Sequence, residues 1–341
     1  MAAMTLSKAL SRSKSQLLTR TVPIRCMSTS TSTSTLPITI KPTTKELSAG
    51  FLGERNLEKA MRGLHEDGLV VVSDVIPHDH LDHLNNKMVQ DARTLQAKGK
   101  DMPYNYNVGN IQQDPPPVKE HFESSIFLNP IANQITTGML GPRPKWTFCS
   151  GNSAMPPEAG AQPQRQPVHA DSDFAHPSHP FALVVNVPLI RFTPENGSTE
   201  TWLGTHTGDL SGLQVQQGAK GTRASGRICE DLLEQRRQVR GPSQPVIEKG
   251  SIVIRDLRLW HAGMPNMTDE VRVMLAMSRL PVHFAPWYRN PMKLELSEDL
   301  MHKIRSQNDL QIPVDWVSRD EALKRYLNRG FGNSYDFGQA E

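Results

Sequence analysis

Apolar residues recur at helical spacing in two segments near the start of the chain, with a short apolar run between them. The segment ERNLEKAMRGLHEDG (residues 54–68) predicts an amphipathic helix that ends at a glycine. The β-branched run LVVVSDVI (69–76) predicts a strand, and residues 77–96 again show helical spacing after an initial proline. Residues 100–144 are rich in Pro, Asn and Gly, so we expect an irregular segment there.

From residue 145 the pattern changes to short β-branched and aromatic runs separated by Pro, Gly and Asn. The predicted strands are KWTFCSG, HPFALVVNVPLI, STETWLG, GSIVIRD, LRLWHAG and VRVMLAMSRL. Many short strands with turns between them favour a sandwich or barrel over an alternating α/β sheet. The sequence therefore predicts a mainly β fold with flanking helices.

One domain over residues 46–341 accounts for this pattern. We expect a helical lead-in over 54–100, a strand-rich core over about 145–285, and a helical tail after it. Residues 206–247 interrupt the core as a polar insertion that contains one predicted helix.

The first 45 residues have a different composition from the rest. They hold seven basic residues, no acidic residue and a Ser/Thr repeat, whereas the remainder has 31 basic and 35 acidic residues. Such a leader is typical of a transit peptide and predicts a mitochondrial location; an inert disordered tail on a cytoplasmic protein is the alternative. The mildly acidic remainder does not predict a nucleic-acid surface. No run approaches the ~18 apolar residues that a membrane span needs.

The stretch QPVHADSDFAHPSHPF (166–181) concentrates histidines and aspartates. If VHAD is extended, His169 and Asp171 are at i and i+2, so both side chains leave the same face. One imidazole and one carboxylate on one face can supply two neighbouring metal ligands. The pair alone is weak evidence, because H-x-D recurs by chance. His176 and His179 lie beside prolines and are expected in a loop.

A second stretch, GSIVIRDLRLWHAGMPNMTDEVRVMLAMSRLP, strengthens this interpretation. Two extended segments flank a Pro/Asn/Asp turn, which predicts a β-hairpin with His261 at the end of the first strand and Arg272 at the start of the second. In the second strand Val271, Val273, Leu275 and Met277 share one face, and Arg272 lies on the other together with Met274 and Ala276. An arginine on a buried strand is costly unless an anion pairs with it.

An H-x-D pair, a distal histidine and a following arginine match the two-histidine, one-carboxylate triad of non-haem Fe(II) oxygenases. From about residue 54 to 292 the chain resembles the phytanoyl-CoA dioxygenase family of iron(II)- and 2-oxoglutarate-dependent oxygenases. The segments HEDGLVVVSDVI, TPENGSTETWLGTHT and GSIVIRD…WHAGMPN carry this resemblance. One departure is LGTH (203–206), where the family usually has a proline first.

The resemblance implies a double-stranded β-helix (jelly-roll, cupin-like) core and three small partners, Fe(2+), 2-oxoglutarate and O2. It implies that His169, Asp171 and His261 are the metal ligands and the catalytic centre. Arg272 would bind the distal carboxylate of 2-oxoglutarate, a pairing that suits a guanidinium. Gln166 and Asn186 would help to position this co-substrate.

The implied reaction oxidises a C–H bond of a small, mostly apolar organic metabolite, by hydroxylation or desaturation, while 2-oxoglutarate gives succinate and CO2. An intact Asp171 favours oxygenation over halogenation, because halogenating relatives replace this carboxylate. Three alternatives remain at this stage. They are an acyl-CoA hydroxylase of the same mechanism, a pseudo-enzyme that keeps the barrel, and a cupin-like metal protein with non-oxidative chemistry.

Overall fold

The computed structural model of the chain describes residues 34–158, 160, 162–171, 179–207, 226–280 and 293–328. The helices in these residues are α1 (Thr44–Ala49), α2 (Glu54–Glu66), α3 (His78–Gln96), α4 (Ser124–Phe127), α5 (Pro130–Leu140), α6 (Glu230–Val239), α7 (Met301–Arg305) and α8 (Arg319–Tyr326). The strands are β1 (Ile38–Ile40), β2 (Leu69–Val72), β3 (Tyr104–Asn105), β4 (Asn107–Gln113), β5 (Lys145–Ala154), β6 (Leu183–Pro188), β7 (Glu200–Thr201), β8 (Ile252–Asp256), β9 (His261–Ala262), β10 (Arg272–Leu280), β11 (Leu294–Ser297) and β12 (Val314–Val317).

Eight strands form one large sheet in the order β1-β2-β8-β6-β10-β5-β4-β3. Its neighbours pair antiparallel, except that β1 runs parallel to β2. A second, small sheet joins β7 to β9. Isolated bridges extend the small sheet, and one of them pairs His169 with His261. Outside these sheets, β11 and β12 form a parallel pair.

Most strands of the large sheet contribute apolar side chains to one buried cluster that also includes helix residues. Val273, Leu275 and Met277 of β10 pack in one buried cluster with residues of α2, α3 and α5. Alternation along the strand places Arg272 on the opposite face, as the sequence predicted. Arg272 therefore lies on the face away from this cluster.

The predicted hairpin between the segments around His261 and Arg272 is wrong. β8 and β10 are not neighbours, because β6 lies between them and pairs antiparallel with both. After β8 the chain leaves the large sheet, enters the small sheet at His261 and returns on the far side of β6. A strand–turn–strand pattern in the sequence does not say which strands pair with each other. The hairpin prediction was wrong because the strand that pairs with β10 on this side is β6.

The fold also includes residues that the sequence analysis had predicted to be leader, irregular segment or insertion. Residues 38–40, which the sequence analysis placed in the leader, form β1, which pairs with β2 and buries Ile40 to 1% exposure. The segment 100–144, expected to be irregular, contains two strands and two helices. Within 206–247, Ser243 and Ile247 bridge to the strand-rich core, so this segment also contributes to the core.

Residues 1–33 lie outside the described part of the chain, and the transit peptide stays a prediction. Parts of the loop after Asp171, of the insertion and of the C-terminal tail are outside it too, and so is His176. Among the helices that are described, none combines the length and the apolar character required to cross a bilayer.

Candidate metal centre

Three side chains from two distant segments of the chain meet beside the small sheet that contains His261. Their nearest ligand atoms lie within 4.8 Å of one another: the cluster comprises His169, Asp171 and His261. Asp171 Oδ1 is 3.7 Å from His169 Nε2 and 3.5 Å from His261 Nε2. The imidazole ring centroids are 4.4 Å apart. The fold thus brings together the three residues that the H-x-D pattern and the distal histidine indicated.

Backbone pairing holds the two histidines in this position. The N–H of His169 donates to the carbonyl of His261 at 2.9 Å, and the N–H of His261 donates to the carbonyl of His169 at 2.9 Å. A reciprocal pair of this kind fixes the two residues opposite each other on adjacent extended segments. It explains how residues 92 positions apart present their rings to one point.

Each imidazole is oriented by a hydrogen bond to its own local backbone. The Nδ1–H of His169 donates to the Pro167 carbonyl at 2.8 Å, and that of His261 donates to the Leu259 carbonyl at 3.0 Å. A neutral imidazole that donates from Nδ1 keeps a lone pair on Nε2, which is the atom a metal would use. Desolvation lowers the pKa of His169 and lowers that of His261 to about 3, so both rings are neutral at physiological pH.

Asp171 remains ionised through a guanidinium that the sequence analysis did not identify. Desolvation raises the pKa of Asp171, but the charge and hydrogen bond of Arg255, with the two imidazoles, lower it well below its usual range. The Nη2 of Arg255 donates to Asp171 Oδ2 at 2.5 Å. The only sequence signal was a charged residue inside the apolar run of β8, the same signal that identified Arg272.

Asn186 lies behind this ion pair. Its side-chain amide donates to the Leu275 carbonyl at 3.1 Å, and its Oδ1 accepts from Arg255 Nε at 3.2 Å. The described contacts of Asn186 are therefore with the sheet and with Arg255. A direct contact with a co-substrate stays a prediction.

Arg272 is a buried cation without an ion pair in the described parts of the chain. Its residue is 2% exposed, and desolvation lowers its pKa to about 10. Its Nε donates to the Asn196 carbonyl at 3.4 Å, and the guanidinium carbon lies 4.9 Å from the centre of the Phe192 ring. Neither contact neutralises the charge, so the position suits an anionic ligand.

Gln166 is bonded through both ends of its amide. Its Oε1 accepts from the N–H of Gly263 at 2.7 Å, and its Nε2 donates to the Asn105 carbonyl at 3.2 Å. A Cβ on Gly263 would lie 2.6 Å from Gln166 Oε1, so only glycine allows this close approach. Gln166 thus braces the segment that follows His261, and its predicted role in binding a co-substrate remains untested.

Tyr106 is a second residue that the sequence analysis missed. Its ring centroid lies 4.6 Å from that of His169, and its φ angle of 68° is in the left-handed region. A bulky non-glycine residue pays a conformational cost there, and such strain clusters at functional sites. No motif marked this tyrosine, because its position depends on the turn between β3 and β4.

The donor set fits one metal ion of a particular kind. Two nitrogens of buried imidazoles and one oxygen of a partly exposed carboxylate converge, with no thiolate among them. Two histidines and one carboxylate with the remaining positions open are the ligand set of non-haem Fe(II) oxygenases. A closed structural zinc site would instead use four protein ligands.

Comparisons with known proteins agree with this geometry. Dioxygenase trt7 from Aspergillus terreus (strain NIH 2624 / FGSC A1156) is 23% identical over 239 residues, which is 67% of this chain and 75% of that protein. Iron/alpha-ketoglutarate-dependent dioxygenase penM from Penicillium thymicola is 22% identical over 207 residues, or 55% of this chain and 64% of that protein.

Among solved structures, the epimerase SnoN in complex with Fe3+, alpha ketoglutarate and nogalamycin RO superimposes with a TM-score of 0.50. The match is 15% identical and covers 67% of this chain and 85% of that chain. This likeness concerns the fold and confirms the expected jelly-roll core with flanking helices.

The phytanoyl-CoA dioxygenase (PhyH) family model matches residues 64–274, which is more than half of the chain and includes all three residues of the cluster and Arg272. The chain belongs to the phytanoyl-CoA dioxygenase family.

Proposed function

We propose that the protein is a dioxygenase that uses Fe(II) and 2-oxoglutarate to oxidise a C–H bond of a small organic molecule. The observation that carries the proposal is that the same fold holds the His169–Asp171–His261 cluster and a buried Arg272 that has no ion pair among the described residues. The dioxygenase names of trt7 and penM support the same reaction class.

The charges of the site favour a dianionic co-substrate. The imidazoles are neutral and Asp171 carries one negative charge, against the two positive charges of Arg255 and Arg272. The site therefore has an excess of positive charge, and a bound divalent cation would increase it. A 2-oxo acid with two carboxylates offsets it, with the distal carboxylate on Arg272 in a charge-assisted pair.

The residues of the site have different roles in the proposed reaction. His169, Asp171 and His261 would hold the iron, which supplies the oxidative chemistry that turns 2-oxoglutarate into succinate and CO2. Arg272 would orient the co-substrate. The ring of Tyr106 packs against that of His169. The carboxylate of Asp171 remains ionised beside Arg255 and needs no proton transfer to act as a ligand.

For the substrate we propose a mostly apolar small molecule, oxidised by hydroxylation or desaturation. The strand face that carries Arg272 continues with Met274 and Ala276, which lack polar side-chain groups. An acyl-CoA substrate would need cations for its phosphates, and the arginines of α6 are already engaged: Arg237 pairs with Glu230 and Glu234, and Arg236 donates to the Leu203 carbonyl.

The test is succinate formation by the full chain with Fe(II), 2-oxoglutarate and O2. We expect slow turnover in the parent, none in His169→Ala, and turnover in Arg272→Ala only at high 2-oxoglutarate. Arg191→Ala is the matched control, since Arg191 is exposed and pairs with Glu248 on the surface, outside the cluster. Anaerobic binding of 2-oxoglutarate to the iron-loaded parent is measured alongside. Absence of both succinate and binding in a folded, iron-loaded parent would overturn the proposal.

A further inference from the structure

The two oxygens of the Asp171 carboxylate face different partners. Oδ1 points towards the imidazoles, 3.7 Å from His169 Nε2 and 3.5 Å from His261 Nε2. Oδ2 accepts a hydrogen bond from Arg255 Nη2 at 2.5 Å. One oxygen is thus available to an ion at the cluster, while the other is already occupied by a fixed donor.

Arg255 is the residue that sets this orientation. The Asp171 side chain is 32% exposed, and within the described residues its carboxylate accepts a hydrogen bond from Arg255 alone. The backbone N–H of Asp171 donates to the Leu257 carbonyl at 3.3 Å, which positions the main chain but not the carboxylate. Without Arg255, rotation about the last side-chain bond would be free. A freely rotating carboxylate can give both oxygens to one cation, as in bidentate calcium sites.

Three neighbouring strands in turn hold Arg255 in place. Its Nε donates to Asn186 Oδ1 at 3.2 Å, and Asn186 donates to the Leu275 carbonyl at 3.1 Å. The contacts run from β10 through β6 to β8, which are adjacent in the large sheet. Because these strands belong to the buried core of the fold, they hold the guanidinium in place next to Asp171.

Fold stability does not explain a guanidinium at this position. Arg255 is 7% exposed, and its Nη1 is buried without a hydrogen-bond partner among the described residues. The cost of burying the guanidinium and its unsatisfied donor offsets much of what the ion pair with Asp171 contributes, so a buried pair of this kind adds little net stability. The residue is therefore better explained by what it does to Asp171.

We propose that Arg255 is a positioning residue that keeps Asp171 a one-oxygen ligand by occupying its Oδ2. The inference rests on the proposed function, since it concerns a metal ion at the cluster. With one oxygen and two nitrogens from the protein, a six-coordinate ion keeps three open positions. A chelating 2-oxo acid takes two of them and leaves one for O2. If Asp171 used both oxygens, one of these three positions would be lost.

The test counts the waters on Mn(II) bound to the protein, from water-proton relaxation and from line broadening in ¹⁷O-enriched water. We expect about three coordinated waters in the parent and about two in Arg255→Met, a loss of about one third. Arg255→Lys retains a charged donor and should return the count towards three. Asn186→Leu removes the support of Arg255 and should give an intermediate count.

Arg279→Met is the matched control, because Arg279 is equally buried but contacts Trp146 and the Phe127 carbonyl on the helix side. It should keep three waters. An unchanged count in folded Arg255→Met would overturn the proposal; if that variant does not fold, an unchanged count in Asn186→Leu does so. Failure of the proposed function has a separate signature, since Mn(II) would then bind equally to the parent and to His169→Ala.

Discussion

Replacing Arg272 by methionine should change the stability of the ligand-free protein and its affinity for 2-oxoglutarate in opposite directions. The lowering of the Arg272 pKa to about 10 by desolvation means that the charged form costs the folded state about 3 kcal/mol at neutral pH. Methionine removes this cost. It also removes the contact with Phe192 and a long hydrogen bond to the Asn196 carbonyl, together worth about 2 kcal/mol. The ligand-free variant should therefore be about 1 kcal/mol more stable than the parent.

The same substitution should weaken binding of 2-oxoglutarate severely. Truncating one partner of a buried, hydrogen-bonded charge pair costs about 2–5 kcal/mol, or at least ~30-fold in affinity. Chemical denaturation of the ligand-free protein and anaerobic titration of the iron-loaded protein measure the two effects. The parent should also gain thermal stability with added 2-oxoglutarate, and Arg272→Met should not.

Arg279→Met is the appropriate control for both measurements. Desolvation lowers the pKa of Arg279 to about 9, and its guanidinium lies 4.8 Å from the centre of the Trp146 ring. Like Arg272→Met, Arg279→Met should make the ligand-free protein more stable. Unlike Arg272→Met, it should leave the affinity for 2-oxoglutarate unchanged. If Arg272→Met were destabilised by more than ~2 kcal/mol and bound 2-oxoglutarate like the parent, Arg272 would be a structural residue and the reasoning would be refuted.

Three further predictions concern the metal and the fold. His169→Ala should lower Fe(II) affinity by at least ~100-fold in equilibrium dialysis, whereas His179→Ala, which changes an exposed residue outside the cluster, should not; equal affinities would remove His169 from the ligand set. The hydrogen bond from the backbone N–H of Thr43 lowers the pKa of Glu46 from its ordinary 4.5 to about 2. The ionised Glu46 carboxylate therefore stabilises the folded state fully above pH 4.5, and this stabilisation is lost as the pH falls towards 2. Denaturation midpoints of the parent and Glu46→Gln should therefore differ at pH 6 and converge near pH 2, and a constant difference would contradict this. Asn129 caps α5 through two backbone N–H groups and also donates to two carbonyls, so Asn129→Ala should cost about 2 kcal/mol in urea denaturation, and a loss under ~0.5 kcal/mol would show that water replaces these bonds.

Local patterns predicted several elements well because those elements depend on residues close in sequence. The helical spacing before Gly68 and after Pro77 matched α2 and α3, and the alternation around Arg272 matched β10. The segment 100–144 was misjudged although it contained a usable signal. Asn129 and Pro130 are a helix cap and first-turn proline before α5, and Gly141 follows its end.

The candidate ligands were within reach of the sequence, because H-x-D and a distal histidine form a pattern that depends on residue type. So was Arg272, since a charge inside an apolar strand is visible without a structure. Arg255 carries the same signal on β8, two strands before β10, but was not identified. Its importance lies in a contact with Asp171, 84 positions away, and no local pattern contains that contact.

The sequence by itself determined the family, the residue types that can hold iron and the faces of the main strands, because each depends on local order and periodicity. Only the tertiary structure decided that β6 separates β8 from β10 and that Arg255 and Asn186 support Asp171. It also decided that Tyr106 packs against His169. Strand neighbours and side-chain partners depend on which distant segments share the core, and that is settled by packing the whole chain at once.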